Sequence, residues 1–148
     1  MIERINVNKI IAVNAEQAWT AISGIGGIDR WFPVISTCSV IGAGVGATRI
    51  MTLADGSAIK DIVEEIDHGH KRFRYNRIES PFPVQSYLGI VEISETAAEK
   101  TQVSWTVEID VQQDQRETLS EFLRTALSDG IQGLEHELRQ PHATAIDA

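Results

Sequence analysis

The sequence predicts an α+β domain in which a curved, seven-stranded antiparallel sheet wraps around a long C-terminal helix. Three observations predict it. Apolar and polar residues alternate at period two through most of residues 2–111. Short glycine-, proline- or aspartate-containing turns separate the alternating runs. After Asp114 the period becomes helical, and Leu119, Phe122, Leu123, Ala126, Leu127, Ile131, Leu134 and Leu138 fall on one stripe.

The first strand covers residues 2–13, with Ile5, Val7, Lys9, Ile11 and Val13 on one face. Asn14 followed by Gln17 is a capping-box pattern, and Ala15, Ala18, Trp19 and Ile22 give the helix behind it an apolar stripe. Gly24, Gly26 and Gly27 end that helix. A second short helical piece at 28–31 stops before Pro33. Strand patterns follow at 37–41, 48–53, 57–66, 72–78, 84–93 and 101–111. Asp55-Gly56 supplies a hairpin turn, His68-Gly69 a second turn, and Pro81 and Pro83 interrupt the next connection. Asp114 with Glu117 reads as the cap of the last helix, which spans roughly 25 residues or ~37 Å before Pro141 closes it. Six consecutive strands joined by short turns form an antiparallel meander. The twisted sheet must curl around the one long amphipathic helix. Seven strands and one helix seldom fill such a concavity with side chains, so an internal pocket is expected. The domain is placed at 1–140, with a flexible tail at 141–148.

Composition restricts the function classes. The chain has 148 residues, 43% hydrophobic and 23% charged, enough for a core that needs neither disulfide nor metal. Its net charge of −8 argues against nucleic acid and anionic membranes as partners. Lys71, Arg72, Arg74 and Arg77 form the main basic cluster and read as a solvated strand face. The lone Cys38 reads as a small buried hydrophobe. No apolar run of ~18 residues exists, so no membrane insertion is expected, and the charged N-terminus makes the cytoplasm the expected location. His68 and His70 flank Gly69 in a turn without an evident third ligand, and no cofactor is implied.

The order of elements and six local motifs resemble the START-like (birch-pollen-allergen-like) superfamily, closest to its polyketide cyclase/dehydrase-like SRPBCC proteins and more distantly to plant abscisic-acid receptors. The motifs are WFPVISTCSV (31–40), GVGATRIMTLADG (44–56), DIVEEID (61–67), RFRYNRI (72–78), PFPVQSYLGIVEI (81–93) and TQVSWTVEI (101–109). The resemblance covers about residues 3–139. It implies a helix-grip fold with two short helices closing one end, and a cavity between sheet and long helix for hydrophobic ligands. Hormone-receptor members hold a ligand carboxylate with a pocket lysine; Phe32 stands at that position here, which implies a less charged guest.

Candidate site residues follow from parity and from the resemblance. Tyr75 and Tyr87 face inward by alternation, as rings with a hydroxyl that seeks a partner. Asp61 lies between Ile59 and Val63; periodicity leaves its face open, because Ala58, Ile62 and Ile66 compete for the inside. The resemblance favours Ile59 and Asp61 facing the cavity, with Asp61 either a ligand-site or acid/base group, or else a surface acid or a partner of Arg49 or Arg77. Arg49 reads as an ion-pair residue. Arg77 shares the parity of Tyr75, so it either reaches the pocket mouth or ends the strand in solvent. Gly130 and Gly133 each cost about 1 kcal/mol in a helix interior. With Ala126 and Phe122, Gly130 is expected to leave cavity space; close packing is the alternative. Met51, Gly89 and Trp105 complete the expected lining. Gly42, Gly44 and Gly46 form a hairpin turn, since a strand and not a helix follows. Two functions fit: binding of a small hydrophobic molecule that is lipid-, polyketide- or aromatic-like, or a cyclase/dehydratase-like enzyme with Asp61, Tyr75 and Tyr87 as acid/base groups. A third is a partner-binding outer face at Ala58, Ile62 and Ile66, from which a homodimer would follow.

Overall fold

The computed structural model describes residues 1–140; the expected tail at 141–148 lies outside them. Seven strands form one antiparallel sheet: β1 (Ile2–Ile11), β2 (Ile35–Ile41), β3 (Thr48–Leu53), β4 (Ala58–Asp67), β5 (Arg72–Glu79), β6 (Val84–Ala97) and β7 (Lys100–Val111). Their order in the sheet is β1-β7-β6-β5-β4-β3-β2, a meander with β1 returned to pair with β7. The fold is thus the expected α+β helix grip. Helix α1 (Ala15–Ser23) follows β1, and α2 (Gln113–Arg139) closes the described chain.

Local chemistry sets the element ends. Asn14 Oδ1 accepts from the Gln17 amide at 2.8 Å and starts α1, as the capping pattern requires. The second short helix is only a single 3-10 turn, Ile28–Arg30, entered through Gly27 at φ +76°. Helix α2 begins one residue before the expected cap. Gln112 takes the cap position without a side-chain hydrogen bond, and Asp114 sits in the first turn instead, where its charge complements the helix dipole.

The inner face of the sheet and the buried stripe of α2 (Leu119, Leu123, Ala126, Leu127, Ile131, Leu134) share one core. On β4 the buried residues are Ile59, Asp61 and Val63, which resolves the face that periodicity left open. A bulge between Val63 and Glu65 then shifts the register, so Ile66 packs against the core as well. Ala58 and Ile62 are half-buried. Phe122 departs from its stripe: it is 43% exposed at the edge of α2. No helix among the described residues is long and apolar enough to cross a membrane.

Candidate functional site

Three charged side chains meet in the middle of the sheet. Cross-strand register places Arg49 on β3 opposite Asp61 on β4, and Asp61 opposite Arg77 on β5. Asp61 is fully buried and Arg49 is 4% exposed. Asp61 Oδ2 accepts from Arg49 Nη2 at 2.9 Å, Arg49 Nε at 3.3 Å and Arg77 Nη2 at 3.2 Å. Its Oδ1 accepts from Arg77 Nε at 2.8 Å. Arg49 Nη1 also donates to the Ile25 carbonyl at 3.2 Å, tying the segment after α1 to the sheet. Burial works against the Asp61 carboxylate, but the charges of Arg77 and Arg49 outweigh it and hold its carboxyl below the usual range. For Arg77 burial also opposes the charge, and Asp61 more than offsets it, so its pKa is raised.

Aromatic rings surround this triad. The Arg77 guanidinium lies 4.3 Å from the Tyr87 ring centroid and 5.5 Å from that of Tyr75. Arg49 lies 5.1 Å from Tyr75 and 5.6 Å from Phe73. These are cation–π distances, and little water screens them. Trp105 Nε1 donates to the Tyr75 hydroxyl at 3.1 Å. Burial raises the pKa of both phenols, with Arg77 only partly offsetting it, so both remain protonated at neutral pH. Gly89 pairs with Tyr75 across β5 and β6, and a Cβ there would overlap the tyrosine ring.

A cavity of about 30 Å³ lies between this cluster and α2. Its walls are Ile28, Phe32, Val34 and Ile35, the sheet residues Arg49, Met51, Leu53, Ile59, Tyr75, Arg77, Tyr87 and Trp105, then Phe82 and, from α2, Phe122, Leu123, Ala126 and Leu127. That space holds about one or two water molecules, whereas small-molecule pockets span roughly 300–1,000 Å³. The expected open concavity is therefore closed by aromatic side chains. Phe32 meets Trp105 edge to face at 5.5 Å, and Phe82 stacks on Tyr87 at 6.3 Å and tilts against Phe122 at 5.8 Å. Beyond the Phe82–Phe122 pair is a surface hollow of about 440 Å³, lined by the same two rings with Pro83, Asp114, Gln115, Thr118 and Leu119.

A family model described as polyketide cyclase/dehydrase and lipid transport matches residues 3–139. The chain belongs to this family. No curated protein matches it in sequence. Among solved structures it is similar to an uncharacterised protein of Bacillus thuringiensis, with 23% identity, a TM-score of 0.84 and coverage of 93% of this chain and 100% of that one. It is similar to norcoclaurine synthase of Thalictrum flavum in complex with dopamine and hydroxybenzaldehyde (18% identity, TM-score 0.78, 95% and 90% coverage). A third is the Zhui aromatase/cyclase of a Streptomyces species (15% identity, TM-score 0.81, 93% and 94% coverage). Identities this low carry the fold and no activity.

In this polyketide cyclase/dehydrase family member, nine of the sequence-derived candidates border the cavity: Phe32, Met51, Ile59, Tyr75, Arg77, Tyr87, Trp105, Phe122 and Ala126. Three do not. Asp61 lies behind its two arginines, and Gly89 lies under Tyr75. The room expected at Gly130 is filled by the Phe32 ring, and Gly133 lies against the Trp31 carbonyl, so both glycines serve close packing. Arg77, at 11% side-chain exposure, turns inward and is not a solvated strand end. Its neighbours in the basic cluster are paired at the surface: Lys71 with Glu16, Arg72 with Glu65 and Asp67, and Arg74 with Glu64. Phe32, where the resemblance implied a less charged guest, lies on the cavity wall, and Arg49 and Arg77 line the same cavity from the sheet. Sequence reasoning missed Phe82, whose signal was an apolar ring between two prolines in a loop, and Leu123 and Leu127, which share the α2 stripe with Ala126. Cys38 is half-buried, and burial raises its thiol pKa. His68 Nδ1 accepts from Trp19 Nε1 at 3.0 Å, and His70 pairs with Asp67. No metal-binding cluster occurs among the described residues.

Proposed function

We propose that this protein binds a small hydrophobic molecule between the sheet and α2, and that the molecule enters by swinging Phe82 and Phe122 outward. One observation carries the reading: two aromatic side chains are shared by the inner cavity and the outer hollow. Displacing them joins about 30 Å³ to about 440 Å³, which falls within the roughly 300–1,000 Å³ of ordinary ligand sites. Phe122 is held on few sides, and the inner wall is apolar apart from Arg49, Arg77, Tyr75 and Tyr87. Family membership supports the reading, and the norcoclaurine synthase neighbour was solved with small aromatic molecules in complex. The test is titration with 1-anilinonaphthalene-8-sulfonate, followed by tryptophan fluorescence and native mass spectrometry. Saturable binding of one probe per chain, weakened by Phe82→Glu, supports the site. No binding and no thermal stabilisation would rule it out.

The alternative is a cyclase/dehydratase-like enzyme using the same cavity. Its support is the pair of protonated phenols, Tyr75 and Tyr87, beside a cation. Asp61 is a poor base for it: its oxygens already accept four N–H contacts and its pKa is depressed. Binding without turnover is the reading we favour.

A further inference from the structure

We infer that the bound molecule is an apolar monocarboxylate whose carboxylate sits against Arg77 Nη1 and the Tyr87 hydroxyl. This rests on the binding site proposed above and narrows its ligand. The first argument is charge. Arginine remains protonated in proteins, so Arg49, Arg77 and Asp61 sum to one net positive charge inside the sheet. No other acidic side chain pairs with either arginine among the described residues. An uncompensated buried charge is costly, and one further negative charge cancels it.

The second argument is the donor inventory. Asp61 takes Nε and Nη2 of both arginines, and Ile25 takes Nη1 of Arg49. Arg77 Nη1 has no carboxylate or carbonyl acceptor among the described residues, and its guanidinium lies within hydrogen-bonding reach of the Tyr87 hydroxyl. Arg77 Nη1 is not among the sealed, unpartnered polar atoms, and the Arg77 side chain keeps 11% of its surface exposed. Arg77 borders the cavity, and beside it the Tyr87 hydroxyl keeps its proton for an acceptor. An N–H and an O–H side by side suit the two oxygens of a planar carboxylate. A neutral carbonyl would leave the positive charge in place, a dianion would overshoot it, and a cation would be repelled. The rest of the wall is aliphatic and aromatic, which fixes the apolar body.

The test compares matched ligands on the intact protein at pH 7: 2-naphthoate against 2-naphthamide, and dodecanoate against dodecanamide, by calorimetry. In at least one pair the acid is expected to bind roughly tenfold to a hundredfold more tightly, the range of one charge-assisted contact. Arg77→Gln should bring the acid down to the affinity of the amide. That variant leaves Asp61 paired with Arg49, and Tyr87→Phe, a milder change, should erode the preference severalfold. If acid and amide bind equally in both pairs, the carboxylate inference falls while the cavity stands. If neither acid nor amide of either body binds, the proposed site falls with it.

Discussion

Replacing Asp61 with asparagine keeps the side-chain outline and removes one charge. The carboxylate accepts four N–H···O contacts of 2.8–3.3 Å from two guanidinium groups and is sealed from solvent. Removing one partner of a buried ion pair costs about 3–5 kcal/mol, because the remaining charges stay buried. That is a large share of the roughly 5–15 kcal/mol that holds a domain folded. For a chain of this size each kcal/mol moves Tm by about 2–4 °C, so a fall of roughly 6–20 °C is expected. The effect also depends on pH. The native carboxyl titrates below its ordinary value of 3.8, so its contribution is complete above that value and fades as the pH falls through the lower native pKa. Urea unfolding of wild type and Asp61→Asn, followed by tryptophan fluorescence from pH 7 to pH 2, should show the two curves converging at the acid end. A loss below about 1 kcal/mol at pH 7, as for an exposed pair, would refute the buried triad. The sequence left Asp61 open between a ligand-site group and a surface acid or partner of Arg49 or Arg77; its pairing with both arginines makes stability the first property to fall.

Other perturbations follow from the same geometry. Tyr75→Phe strips the acceptor from the Trp105 indole N–H and should cost about 1–3 kcal/mol, with a shifted indole proton resonance as the marker. Gly133→Ala gains up to about 1 kcal/mol of helix propensity, yet its Cβ meets the Trp31 carbonyl; a net loss is expected, and a stabilised variant would contradict the packing. The nearest atoms that Gly130→Ala meets belong to the Phe32 side chain and not to backbone, so its loss by thermal unfolding should be the smaller of the two. Phe122→Ala removes a ring that is 43% exposed, so stability should change little while stopped-flow uptake of an apolar probe quickens; unchanged uptake would place the entrance elsewhere.

The fold was legible because it rests on short-range patterns. Alternation put Tyr75 and Tyr87 inside, Asn14 capped α1, and the change of period marked α2. The site was legible only in part, because its chemistry depends on register. Arg77 shared the parity of Tyr75, but its position opposite Asp61 follows the bulge between Val63 and Glu65, which shifts the register set at the turn and which no periodicity reveals. The closed cavity was hidden for a similar reason. Gly130 looked like empty space along one helix, and the ring that fills it comes from Phe32, far away in sequence. Parity fixes which way a side chain points, and distant neighbours decide what it meets.

The triad argues for function in its own right. A buried ion group is a poor source of stability, since apolar side chains of similar volume often do as well or better. An arrangement serving stability alone would at least balance its charges. This one places two guanidinium groups on a single carboxylate, under rings that exclude water, and leaves one N–H edge bordering the cavity. In the proposed carboxylate site Asp61 would be the orienting group. It fixes both planar cations in place so that no rotamer freedom is lost when an acceptor arrives. The excess charge is what the proposed carboxylate would cancel, and the cavity of about 30 Å³ beside it would admit such a molecule only with Phe82 and Phe122 displaced.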